Sequence, residues 1–401
     1  MKKISKPFLL LLVVSHLTIA QTPEITSWIL NTTGATGYNG IPSNVQVVQY
    51  SANNVYVSCT CIPGYNIGPW AMNPNIPANQ NFVFKITRNP LQNTGTATAV
   101  GLGHIGVWKN GVSVFNVSDA QSYMNQGIWN RNAYYWEGSG FDNCLGHPNQ
   151  QGEYHHHVSP KCLYNDADSL NHSPIIGYAF DGFPIYGAYA YSNTNGTGVI
   201  KRMTSSFVLS GNTSRTNGPA VDVTYPAGCF IEDYNYSFGS GDLDERNGRF
   251  CVTPEYPAGI YAYFVTIDSS LNPVFPYTFF GTYYGIVQSG NTGPGGGHVT
   301  ITEATTVYNG STGIKENESQ IKFKFLPNPV SDYAYIYIDQ SSVNNIKGEI
   351  YNFQGQLIQE IENLQPSISY TIDFTKYPAG NYFILLKTDK QRRIQKVIRV
   401  K

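Results

Sequence analysis

His147 stands seven residues ahead of the run Tyr154-His155-His156-His157, and with His172 five of the chain's eight histidines fall within 26 residues. If Tyr154 to His157 is a strand, side chains alternate, so His155 and His157 share one face with Cα atoms about 6.5 Å apart, while Tyr154 and His156 face the other way. Two imidazoles at that separation can hold one metal ion, and His147 offers a third nitrogen. Three histidines with an open coordination position describe catalytic zinc and several copper sites. The expected cofactor is therefore one transition metal ion, copper or zinc.

Carboxylates complete such sites or orient their imidazoles. Three candidates stand out: Asp181 in the turn Phe180-Asp181-Gly182-Phe183-Pro184, and Asp242 and Asp244 in Gly241-Asp242-Leu243-Asp244-Glu245-Arg246-Asn247-Gly248. The second segment invites a calcium-loop reading, but its Asn and Gly arrive one position late for an EF-hand. The competing interpretation of all three is structural, as turn caps or ion-pair partners.

The six cysteines all precede residue 252. Cys144 and Cys162 bracket the histidine run, and a disulfide between them stabilises by about 3 kcal/mol in the chain-entropy model. Cys229 and Cys251 bracket the acidic segment and form the second expected local pair. Cys59 and Cys61, one residue apart, leave their pairing open. An even cysteine count suits an exported chain in an oxidising compartment.

Elements that position these residues read as strands. Short runs at 45–50, 55–58, 81–86, 105–108, 176–180, 260–265 and 298–301 are rich in β-branched and aromatic residues and punctuated by Gly, Pro and Asn. One helix is expected at 120–126, behind the capping residues Ser118 and Asp119. Residues 306–320 lack apolar periodicity and read as a linker. Beyond it, runs at 333–338, 348–351, 369–373, 380–386 and 395–400 predict a small all-β sandwich. The expected architecture is mainly β: a large disulfide-stapled domain over 21–305, then a sandwich over 321–401.

Lys2, Lys3 and Lys6, an apolar run from Phe8 to Val14 and small residues to Ala20 read as a signal peptide over 1–20. That run is too short to span a bilayer. Residues 21–320 carry 11 Lys and Arg against 19 Asp and Glu, a net of −8, whereas 321–401 carry 11 against 7, a net of +4. Neither part shows a basic stripe interleaved with aromatics, so nucleic acid is not an expected partner. Gly-rich phosphate loops, Gly-x-Ser-x-Gly elbows and His-Glu-x-x-His helices are absent from the sequence, which argues against nucleotide, serine-hydrolase and metalloprotease chemistry.

Asn110-Gly111, His147 with Tyr154-His155-His156-His157, Asp181 to Gly187 and Ser240 to Phe250 together resemble the YHYH domain family. The namesake Tyr-His-Tyr-His stands here as Tyr-His-His-His, so the two family histidines map to His155 and His157. Phe325-Leu326-Pro327-Asn328-Pro329, Tyr377-Pro378-Ala379-Gly380-Asn381 and the basic ending resemble the C-terminal sorting domain of the type IX secretion system. That resemblance implies the secretion machinery as a partner and a secreted or surface location. The YHYH resemblance implies no established reaction. Three functions compete: a transition-metal protein, a glycan-binding or adhesive surface protein with a glycan or small-molecule ligand, and a structural histidine-aspartate network.

Overall fold

The computed structural model describes residues 21–293, 295–310, 323–338, 346–353, 355–388 and 392–400. The chain divides into two compact units, 1–310 and 311–401. The expected signal segment, and the linker residues from 311, lie outside the described residues. No helix among the described residues is long and apolar enough to cross a membrane.

The first unit is built on two sheets. One is antiparallel, in the order Thr306–Tyr308, Val45–Tyr50, Asn54–Cys59, Phe82–Thr87. Thr306–Tyr308 begins the stretch read as linker, yet it pairs with Val48 to Tyr50 and buries Tyr308. The domain therefore extends past 305, because this strand supplies the hydrogen bonds that residues 45–50 need along one edge.

The other sheet has eight strands in the order Gly248–Cys251, Ile260–Phe264, Pro184–Tyr186, Ile175–Ala179, His104–Trp108, Ser113–Phe115, Tyr154–His156, His147–Pro148. His104–Trp108 and Ile175–Ala179 are buried at every residue, as a central strand covered on both faces must be. The core around them holds Phe84, Trp108, Tyr178, Phe180, Tyr263 and Phe264. The two short histidine-bearing strands form the far edge.

Two sequence expectations fail locally. Residues 120–126 are not a helix: Ser118–Ser122 forms a ribbon with Asn130–Asn132, and Ala120 and Met124 adopt left-handed φ of 67° and 51° that an α-helix excludes. The helix lies later, at Ala133–Glu137, where the Asn132 side chain accepts from the Tyr134 N–H at 3.2 Å. Residues 298–301 make only an isolated bridge, Val83 to His298.

Among its described residues the second unit has seven strands in two antiparallel sheets. Their orders are Phe323–Leu326, Tyr333–Ile338, Ser369–Asp373 and Leu357–Leu364, Ile346–Asn352, Gly380–Lys387, Arg392–Arg399. Alternation decides the faces: Ala334, Ile336 and Ile338 are buried while Tyr333, Tyr335 and Tyr337 are exposed. Phe325, Ile336, Ile350, Phe374, Ile384 and Leu386 form one shared core.

Candidate metal centre

The sheet edge brings three imidazoles together. His147 pairs with His155 across an antiparallel ladder, and Ser113 pairs with His155 on the other side. Pleating then turns His155 and His157 to one face, where they meet His147. One nitrogen from each ring lies within 4.8 Å of the other two, and all three residues are buried. His156 faces the core with Tyr154, against Trp108. Gly146 permits that packing, since a Cβ there would stand 2.4 Å from the Tyr154 hydroxyl and 2.9 Å from the His156 ring.

Each ring is held by a defined partner. Nδ1 of His155 lies 3.0 Å from the Glu153 carbonyl, and Nδ1 of His157 bonds to the Asn116 carbonyl. A carbonyl only accepts, so each Nδ1 must carry a hydrogen, and a ring with no second hydrogen presents its Nε2 lone pair. Those two Nε2 atoms face one another at 3.1 Å. Phe115 stacks on His155 with centroids 3.7 Å apart, and Phe141 stands 4.7 Å from His147.

The disulfide Cys144–Cys162 closes the loop that carries the cluster. Just ahead of that loop Asp142 accepts from the Cys144 N–H at 2.9 Å, the Gly146 N–H at 3.1 Å and the Tyr154 hydroxyl at 3.0 Å. Glu153 accepts from the Ser113 hydroxyl at 2.5 Å and lies 3.3 Å from Nδ1 of His104. Neither carboxylate was singled out from sequence, yet both fix the backbone that aims the histidines.

Burial, and next the neighbouring His157, pull the His147 imidazole down to about 4 from its ordinary 6.5. Burial and the other two rings likewise hold His155 well below its ordinary value. Both are neutral near pH 7 and free to donate lone pairs. A cleft of about 650 Å³ opens on the trio, lined by Phe115, Trp136, Glu137, Asn149 and Gln151 among others.

Glu137, at the end of the Ala133–Glu137 helix, lies within this cleft. Its Oε2 stands 3.2 Å from Nε2 of His157 and 3.6 Å from Nε2 of His147, yet it makes no hydrogen bond of good geometry. Sequence reading missed it because the helix was placed too early. One signal was available: an acidic residue in the last turn opposes the helix dipole, so Glu137 needs another reason to be there.

The three aspartates named from sequence do not join the trio. Asp181 is fully buried and accepts from the Tyr263 hydroxyl at 2.6 Å, the Gly285 N–H at 2.8 Å and the Phe183 N–H at 3.2 Å. Asp242 pairs with Lys201 at 2.8 Å. Asp244 caps its own turn through the Arg246 and Gly248 N–H groups and accepts from the Tyr261 hydroxyl. Cys229 and Cys251 are buried thiols and not a disulfide. Cys251 belongs to the sheet strand Gly248–Cys251, whereas Cys229 sits in a loop against the Arg215–Asp233 pair. Cys59 and Cys61 are buried thiols as well, the latter donating to the Tyr154 carbonyl at 3.1 Å.

A β-rich unit with a buried histidine trio, followed by a second β-rich unit, defines a two-unit protein. The family described as YHYH protein matches residues 83–278, and the secretion system C-terminal sorting domain matches residues 324–401. The chain thus carries a YHYH domain and a type IX sorting domain, and is exported through that system to the cell surface or the medium. No curated protein matches it. Among solved structures, dimeric latent PorU from Porphyromonas gingivalis is 24% identical over 20% of this chain and 9% of its own, with a TM-score of 0.17. The chain spans under a tenth of that protein, and the likeness carries no structural argument.

Proposed function

We propose that the YHYH domain binds one transition metal ion, copper or zinc, through Nε2 of His155, Nε2 of His157 and one nitrogen of His147. The observation that carries this reading is the pair of Nε2 atoms that face one another at 3.1 Å, each ring held at Nδ1 by a carbonyl. With both rings neutral their lone pairs repel, and a metal ion between them, with His147 beside it, relieves the contact. Nitrogens bound to one tetrahedral zinc at about 2.0–2.1 Å stand about 3.3–3.4 Å apart, close to the separation found. Burial of the three residues excludes a solvated loop, and the open cleft leaves a face of the ion for a further ligand.

Elemental analysis of the purified chain, without a histidine tag, tests the reading. About one copper or zinc per chain is expected, lost in a His155→Ala/His157→Ala double variant whose circular dichroism is unchanged. Chain that stays metal-free after reconstitution with either ion overturns it.

The glycan reading keeps one supporting observation. The cleft mixes amide side chains such as Asn149 and Gln151 with the indole of Trp136, and aromatic faces beside polar groups suit sugars. Retention of metal-free chain on an insoluble polysaccharide, abolished in Trp136→Ala, would favour it.

A further inference from the structure

We infer that Glu137 is the fourth protein donor of the metal centre, making it a three-histidine, one-carboxylate site. This inference rests on the reading of the trio as a metal site and adds the residue that sets its charge and its choice of ion.

The geometry around Nε2 of His157 is the starting point. That atom lies 3.1 Å from Nε2 of His155 and 3.2 Å from Oε2 of Glu137, and the same oxygen lies 3.6 Å from Nε2 of His147. The Asn116 carbonyl takes the hydrogen at Nδ1 of His157, so Nε2 of His155, Nε2 of His157 and Oε2 of Glu137 converge with at most one hydrogen, at Nε2 of His157, to share among them. One added proton on His157 would serve one of these contacts and leave the other open. A cation at the centre serves them all, and donors on a tetrahedral ion at about 2.0–2.2 Å are separated by about 3.3–3.4 Å.

Glu137 has no competing engagement that would explain its place. Its Oε2 is buried and lacks a hydrogen bond. The neighbouring cation Arg131 is held by Asp119 at 2.8 Å and by Gln121 at 2.6 Å, and its guanidinium stacks over Trp136 at 4.4 Å. The helix that carries Glu137 is anchored at its start, where Asn132 bonds the Gly228 carbonyl at 3.0 Å and the Tyr277 hydroxyl at 2.8 Å, and near its end, where the Trp136 indole donates to the Cys229 carbonyl at 2.7 Å. The carboxylate is therefore delivered by a fixed element.

A carboxylate among imidazoles has a consequence for ion choice. Oxygen is a hard donor, and its negative charge favours a divalent ion such as zinc(II) or copper(II) over soft copper(I). The side chain of Glu137 is 30% exposed towards the cleft, so the centre stays open to a small ligand on that side.

The test compares the full chain with Glu137→Gln, which keeps the shape and removes the charge. Zinc affinity is measured by competition with a chromophoric chelator, and the visible spectrum is recorded after loading cobalt(II). The expected result is a loss of at least about tenfold in zinc affinity and a changed cobalt(II) spectrum, with the melting temperature of the metal-free protein preserved. Affinity within twofold of wild type with the same cobalt(II) spectrum overturns the assignment and leaves the three-histidine site standing. A wild type that binds neither ion overturns both readings. Should Glu137→Gln fold poorly, a crystal structure of the zinc-loaded wild type decides. Oε2 within about 2.2 Å of the ion supports the assignment, and a carboxylate turned away from it overturns the assignment.

Discussion

Two buried polar clusters on the same eight-stranded sheet solve opposite problems. Around Asp181, at the turn before Pro184–Tyr186, every interaction is a donor meeting an acceptor: Tyr263, Gly285 and Phe183 all give hydrogen to the carboxylate. Around His157, at the opposite edge, two Nε2 atoms face one another, and Nε2 of His147 and Oε2 of Glu137 are buried without a hydrogen bond. Buried polar groups are almost always paired. The first network is closed by the protein alone, whereas the second is the one we propose a cation completes.

The largest effect that separates the two is on metal binding. His155→Ala/His157→Ala is expected to lose far more than the roughly 10–100-fold that removing an outer partner costs, while Asp181→Ala keeps full stoichiometry. Equal metal loss in both would break the contrast.

Stability should reverse the order. Asp181→Ala strands three buried donors and is expected to cost about 3 kcal/mol or more in urea unfolding. Glu137→Gln in the metal-free protein keeps the shape and leaves no donor stranded, so it should shift stability by only about 1 kcal/mol. If the two costs prove similar, Glu137 is structural.

Cutting the Cys144–Cys162 bridge by Cys144→Ser/Cys162→Ser sharpens the contrast from the scaffold side. A closed loop of this size is worth about 3 kcal/mol, and because the loop also carries His147, metal affinity should fall together with stability. The Asp181 cluster has no such staple, so the variant should leave its hydrogen bonds intact.

Acid gives the most gradual separation. Burial depresses His147 to about 4 and His156 to about 3, against 6.5 in the unfolded chain. Between those values the unfolded state takes up protons that the folded state refuses, so metal-free stability should fall as pH drops from about 6.5 towards about 4. Above pH 7 these groups contribute no slope. Urea midpoints across pH 4 to 7 check this, and a flat profile would contradict neutral buried imidazoles.

Much of this was legible in the sequence. Alternation in Tyr154 to His157 sorts His155 and His157 from His156, because the period of a strand is two whatever the fold. Tyr333–Ile338 and Gly380–Lys387 in the second unit are legible for the same reason. Glu137 was not, since nothing in Tyr134-Tyr135-Trp136-Glu137 says which loop will face it, and the capping residues Ser118 and Asp119 drew the helix to the wrong place. The left-handed φ of Ala120 is imposed by ribbon pairing and has no local signal. Cys229 and Cys251 show the same limit. Twenty-two residues apart in sequence, they look like a local pair, but one is drawn into the sheet and the other stays in a loop.

In the proposed centre the histidine trio, and not a thiol, holds the ion. Buried thiols at Cys59 and Cys61 offer a rival soft site, so the most direct measurement is X-ray absorption at the metal edge of the purified chain. The account predicts a shell of nitrogen and oxygen at about 2.0–2.2 Å with imidazole multiple scattering and no sulfur. Sulfur at about 2.3 Å, or a shell without imidazole, would contradict it.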